Sequence, residues 1–175
     1  MTGIAVVVGA YGALGSAIAD RLRGAGLVVV GVSRSGDCRA DIGSDSAVAA
    51  IAAAVDAAGD GPVRMVVQAA GLPPTGPVDT IDPEALGRAV ALKAGGLLRL
   101  VRAVDGRLER GSRIVALGGH YGSEPAPYAC AAGVTNAALA NLVRQLATAY
   151  GSRGVTAHLI APGPADTPRD RKSVV

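Results

Sequence analysis

The sequence predicts an α/β domain built on a doubly wound parallel sheet with helices on both faces. Three observations carry that expectation. Short β-branched runs alternate with Ala-rich helical stretches along the chain. The runs are almost continuously apolar, as strands covered on both faces must be. The first of them stops at a glycine turn that opens straight into a helix.

The chain of 175 residues is long enough for one domain with a core. That domain is expected over 1–168, with a polar, mobile tail over 169–175. Hydrophobic residues make up 50% of the chain and aromatics only 2%, with no Phe or Trp, so the core must be built from small side chains. The net charge of +3 is modest and no basic cluster is interleaved with aromatics, which argues against nucleic-acid binding. Cys38 and Cys130 match no metal-ligand spacing and read as reduced thiols, with no metal site. No apolar run is long enough to span a membrane, and no signal-like start is present. A soluble, cytoplasmic protein is expected.

Ile4–Val8 is the first strand. Gly9, Gly12 and Gly15 follow at threefold spacing, and a helix runs to Arg23. Strand, tight turn and helix N-terminus make an anion-binding device. Glycine permits the turn and the close approach of a ligand, while free N–H groups and the helix dipole face a phosphate. Gly24-Ala25-Gly26 ends the helix, and Leu27–Val32 is a second strand that completes a βαβ unit. Cys38–Ile42 reads as a short third strand, too close to the second for a helix between them.

Ser44-Asp45-Ser46 offers N-caps for a helix over 47–58, closed by Gly59. Val63–Gln68 is the fourth strand and ends in Ala69-Ala70-Gly71. Residues 72–80, rich in Pro and Gly, form a loop. Asp82-Pro83-Glu84 starts a helix that continues to about Val104 across Gly95-Gly96. Ser112–Leu117 is the fifth strand, 118–127 a loop, and Tyr128–Tyr150 a long helix stopped by Gly151. Val155–Ile160 is the sixth strand, followed by Ala161-Pro162-Gly163-Pro164.

In this order the landmarks resemble the short-chain dehydrogenase/reductase family, a Rossmann fold, up to Pro168. The stretch Gly9-Ala10-Tyr11-Gly12-Ala13-Leu14-Gly15 is similar to the family's glycine motif in a variant spacing. Asp41-Ile42 resembles the acidic pair that lies against adenine. Gln68-Ala69-Ala70-Gly71 is similar to the Asn-Asn-Ala-Gly strand end, and Pro162-Gly163 to the motif beside the nicotinamide. The resemblance implies a dinucleotide cofactor. Ser33-Arg34-Ser35 stands where an acidic residue would hold the ribose of NAD, and a guanidinium there pairs with a 2′-phosphate. NADP(H) is therefore favoured over NAD(H), with Asp37 the one nearby carboxylate that could fold back to the ribose.

The family's chemistry uses a tyrosine as general acid or base, a lysine four residues on, a serine and an asparagine. A free tyrosine has a pKa near ~10, and an ammonium beside it lowers that value. Here Tyr128 is followed by Ala132, not lysine. Lys93-Ala94-Gly95-Gly96 occupies the place of the family's Asn-x-x-Gly. This resembles ketoreductase domains of modular polyketide synthases, where the lysine sits on this helix and an asparagine stands four residues after the tyrosine. The resemblance thus implies Tyr128 as general acid/base with Lys93 as its electrostatic partner. Asn136 lies one turn beyond Ala132. Gly118-Gly119 replaces the serine pair, and His120 or Ser123 is left to bond the substrate oxygen. Ser123 fits a turn residue better, His120 is the closer candidate, and Tyr121 is a weak alternative acid. His158 reads as structural.

The family continues past Pro164 with a substrate lid and a seventh strand, which this chain lacks room for. The lid is expected to be absent or supplied by a partner subunit, and the resemblance implies a homo-oligomer formed through the long helices. The leading function is an NADP(H)-dependent oxidoreductase of a small carbonyl substrate. The alternative is a catalytically impaired pseudoenzyme that binds a dinucleotide or a partner, and non-redox chemistry in the same cleft stays open.

Overall fold

The computed structural model describes residues 3–71 and 76–163. Its strands are β1 (Ile4–Val8), β2 (Val28–Ser33), β3 (Cys38–Arg39), β4 (Val63–Gln68), β5 (Arg113–Leu117) and β6 (Thr156–Ile160). The helices are α1 (Ala13–Gly24), α2 (Ser46–Ala57), α3 (Pro83–Val90), α4 (Gly96–Val104) and α5 (Cys130–Tyr150). The strands form one sheet in the order β3-β2-β1-β4-β5-β6, and every pairing is parallel. The chain winds outward from β1 in one direction and from β4 in the other. Right-handed crossovers then place the helices of the two halves on opposite faces.

Alternation along β1 feeds two cores. Ile4, Val6 and Val8 join the larger one, with Ile51 of α2, Leu97 and Leu100 of α4, and Leu139 of α5. Val7 joins a smaller one with Ala19 of α1 and Val67. The two faces are unequal because a turn, not a helix, joins β2 to β3. Among the described residues α1 stands alone on its face. An apolar groove of about 440 Å³ remains between α1 and the β5–β6 end, lined by Leu14, Ile18, Leu117, Ile160 and Pro162.

Four elements differ from expectation, each for a local reason. The helix over 82–104 starts as its sequence dictates, with the Asp82 carboxylate accepting from the Glu84 and Ala85 N–H groups. It is then interrupted by a π-turn over Ala91–Gly95. Gln68 Nε2 donates to the Leu92 and Lys93 carbonyls of that turn at 3.3 and 3.4 Å. Gly96 makes room for this amide, since a Cβ there would lie 2.7 Å from Gln68 Nε2. At α2, Asp45 makes no cap bond, because its carboxylate accepts from Arg99 Nε at 2.7 Å. The third strand is only two residues long, and Ile42 is buried in the larger core. The last helix starts at Cys130, which leaves Tyr128 in the segment before it.

The expected mobile tail, absent lid and absent seventh strand all concern residues from Pro164 onward, which lie outside the described residues. Among the described residues no helix is long and apolar enough to cross a membrane.

Candidate functional site

Parallel pairing puts the carboxyl ends of all strands on one edge of the sheet, and the order reverses between β1 and β4. A crevice outside such a switch point is where open α/β sheets take ligands. The glycine turn lies there. Gly9 has φ +82°, and a Cβ on it would sit 2.9 Å from the Ala70 nitrogen. A Cβ on Gly15 would come within 2.0 Å of the Gly9 carbonyl oxygen. These two glycines are required by the turn itself. Gly12 is different: its Cβ would meet only that same oxygen, at an ordinary 3.4 Å. Its free face is open to solvent. The N-terminus of α1, with Ala13 and Leu14, has no side-chain cap and no acidic residue in its first turn. Its unpaired N–H groups and positive dipole end are available to an anion. The residues present therefore fit a dinucleotide phosphate.

Beside it, Tyr11 organises the turn between β2 and β3. Its hydroxyl donates to Asp37 Oδ2 at 2.8 Å and accepts from the Asp37 N–H at 3.1 Å. Ser33 Oγ accepts from the Ser35 N–H at 3.2 Å, and Arg34 and Ser35 are exposed at the tip. Asp41 Oδ1 accepts from the Gly43 N–H at 2.9 Å, which leaves Oδ2 as its unengaged oxygen in this turn. Ala69, Ala70 and Gly71 are half-buried at the end of β4, and Pro162 and Gly163 follow β6 on the same edge.

Deeper in, the Lys93 stem passes alongside Gly71, whose Cβ would touch it at 3.4–3.6 Å. Lys93 Nζ donates to Asn136 Oδ1 at 2.5 Å, and both residues are buried. The packing explains the two glycines that replace serines. A Cβ on Gly118 would lie 2.9 Å from Leu159 Cδ1, and one on Gly119 would lie 2.7 Å from Asn136 Nδ2. A Cβ on Gly122 would meet the Asn136 backbone at 2.9 Å, so the whole loop lies directly on α5.

Tyr128 is 66% exposed. Its hydroxyl shares a hydrogen bond with that of Tyr121 at 2.9 Å, and the rings meet edge to face at 5.8 Å. That bond is the main reason the Tyr121 phenol is held above the usual tyrosine range. His120 is exposed with its ring 4.0 Å from that of Tyr121, and Ser123 Oγ donates to the His120 carbonyl, as a turn residue does. The segment before α5 is tied to the loop after β4 by the Val78 N–H, which donates to the Pro127 carbonyl at 2.9 Å. A mostly apolar pocket of about 350 Å³ opens beside Tyr121, lined by Val78, Pro125, Cys130 and Val134.

A family model described as enoyl-(acyl carrier protein) reductase matches residues 9–174. The chain belongs to the short-chain dehydrogenase/reductase family. Short-chain reductase protein NovJ of Streptomyces niveus is 33% identical, over 94% of this chain and 70% of that protein. Inactive 2-(S)-hydroxypropyl-CoM dehydrogenase 2 of Xanthobacter autotrophicus is 32% identical over 71% of this chain, which spans 54% of that relative's length. Among solved structures, an NADPH-bound short chain oxidoreductase of Pseudomonas aeruginosa PAO1, described as containing an atypical catalytic center, superposes with a TM-score of 0.89. It is 24% identical, over 98% of this chain and 75% of that one. The short-chain dehydrogenase/reductase fold is thus shared almost throughout.

Within this short-chain dehydrogenase/reductase, the structure brings Lys93 to Asn136 and Tyr128 to Tyr121. Sequence reasoning left Asn136 and Tyr121 at the margin and gave Gln68 no role. A count of residues from Lys93's role was available as a signal. If an asparagine belongs with a lysine on the α3–α4 segment, Asn136 is its counterpart, and the residue four before it is Ala132.

Proposed function

We propose that this chain is an NADP(H)-binding oxidoreductase acting on a small carbonyl or alcohol. The observation that carries the reading is the uncapped α1 N-terminus beside a turn that displays Arg34 while its carboxylate, Asp37, is engaged by Tyr11. Solved relatives described as bound to NADP or NADPH support the same choice. Gly9, Gly12 and Gly15, with the N-terminal residues Ala13 and Leu14, hold the phosphates. Arg34 and Ser33 take the 2′-phosphate, Asp41 and the backbone of Ile42, whose side chain is buried in the core, border the adenine, and Ala69–Gly71 with Pro162 and Gly163 border the nicotinamide half. The dinucleotide, when bound, supplies or accepts hydride at the substrate carbon.

The chain's own part is to bind, orient and move a proton. Tyr128 gives a proton to the substrate oxygen during reduction and takes it back during oxidation. Tyr121, bonded to it, is in place to share that proton, and His120 supplies a further polar contact. Lys93, fixed by Asn136 and passing alongside Gly71, places a positive charge where it orients the ribose. The pocket beside Tyr121 suits a small apolar substituent.

A second reading, a dinucleotide-binding module without turnover, is favoured by one observation. The lysine–asparagine pair is present, yet the residue one turn before Asn136 is Ala132, so no phenol stands in that register. Titration with NADPH and NADH, followed by NADPH oxidation across a panel of small ketones, separates the two. The oxidoreductase reading expects tighter NADPH binding and a turnover that falls about 10²-fold or more in Tyr128→Phe. Equal turnover in wild type and variant removes Tyr128 from the mechanism. Binding with no turnover of any carbonyl supports the module, and binding of neither nucleotide overturns both.

A further inference from the structure

We propose that Tyr11 sets the dinucleotide preference of this site by holding the Asp37 carboxylate away from the ribose. The inference rests on the cofactor reading above and adds the residue that determines specificity within it.

Two groups of opposite charge share the turn between β2 and β3, Arg34 and Asp37, and they make incompatible demands on a ligand. A guanidinium pairs with a 2′-phosphate, whereas a carboxylate accepts hydrogen bonds from free ribose hydroxyls and repels a phosphate. Which demand prevails depends on which group can reach the ligand. Asp37 is fixed twice by one hydroxyl. Tyr11 Oη donates to its Oδ2 at 2.8 Å and accepts from its N–H at 3.1 Å, so both side chain and backbone are held. The Tyr11 ring is itself seated on glycines. A Cβ on Gly36 would lie 2.1 Å from its Cε2, and one on Gly31 would lie 3.3 Å from its hydroxyl. Gly36 leaves the space that the ring fills, and Gly31 lies in close contact with its hydroxyl.

Arg34 is exposed at the tip of the same turn, where the Ser35 N–H to Ser33 Oγ bond shapes the backbone. The arrangement therefore withdraws the negative group and displays the positive one. Tyr11 comes from the phosphate-binding turn, so the part of the site that holds the phosphates also sets the charge that the ribose end meets.

Removing only the hydroxyl tests this, because Tyr11→Phe keeps the ring on its glycine seat and melting temperature checks the fold. Binding constants are measured for NADPH and NADH, and for the fragments 2′,5′-ADP and AMP, none of which requires turnover. Wild type is expected to prefer the 2′-phosphorylated member of each pair. Tyr11→Phe is expected to narrow both preferences by about tenfold, near 1.4 kcal/mol, through weaker binding of the phosphorylated member and stronger binding of the other. Tyr11→Phe/Asp37→Asn is expected to restore the preference, since a neutral amide no longer repels the phosphate. An unchanged ratio in Tyr11→Phe overturns the proposal, as does a double variant that behaves like the single one. A wild-type protein that binds no nucleotide overturns the cofactor reading and the proposal with it.

Discussion

Gly119 shows how one side chain position constrains the site. Its backbone is extended at φ −174°, a conformation open to any residue, so glycine is not needed there for the backbone. It is needed because Asn136 Nδ2 occupies the place of a Cβ. Gly119→Ser should therefore displace Asn136 and loosen its bond to Lys93. The expected cost is about 1–3 kcal/mol, read as a lower melting temperature. The tyrosine pair gives a second residue-level outcome. The Tyr121 phenol is raised chiefly by its bond to Tyr128, so Tyr128→Phe should return it toward the usual value near ~10. An ultraviolet titration of the phenolate band checks this, and an unmoved Tyr121 would show that the two hydroxyls are not bonded in solution.

At the scale of elements, the glycines of the turn and α1 are under unequal steric constraint. Gly15 packs its Cα against the Gly9 carbonyl, leaving no room for a methyl group, whereas Gly12 has ordinary clearance and an open face. Gly15→Ala should destabilise the domain by about 3 kcal/mol or more, because backbone must move. Gly12→Ala should leave the melting temperature within a few degrees and weaken NADPH binding. The reverse result would exchange the two roles. The α3–α4 segment shows the limit of local patterning. Its N-terminal cap is written in Asp82-Pro83-Glu84, but its π-turn is stabilised by Gln68, from a different strand. Gln68 Oε1 is left buried without a partner, the one such side-chain atom among the described residues. This amide is thus committed to holding the turn that carries Lys93.

For the whole molecule, charge is distributed by function. At the edge of the sheet opposite the site, arginines tie loops together. Arg107 donates to Asp56 and to the Gly59 and Gly61 carbonyls, and Arg153 donates to Asp105 Oδ1 at 2.7 Å and to the Leu108 carbonyl. The modest positive charge of the chain is in part structural. The Arg153 bond is the main reason the Asp105 carboxyl is held below its usual range. Its folded-state value lies below the unfolded one, so its stabilising contribution is present above about pH 3.9. That contribution is lost as pH falls through the lower folded value. Asp105→Asn should therefore reduce melting temperature at pH 6, and its difference from wild type should shrink as pH falls below about 3.9. A constant difference across that range would remove Asp105 from the acid limb.

The sheet, its winding and the glycine turn are legible in the sequence, because each is encoded by residues close together in the chain. Apolar runs make strands, Gly9 and Gly15 make the turn, and Asp82-Pro83 starts a helix. What the sequence did not determine were the partners. Lys93 meets Asn136 across a separation of 43 residues, and Tyr11 meets Asp37 across 26. Those pairs depend on how tightly a loop lies on α5 and on a ring resting where two glycines leave space. Such packing involves three elements at once, so only the tertiary structure decides it.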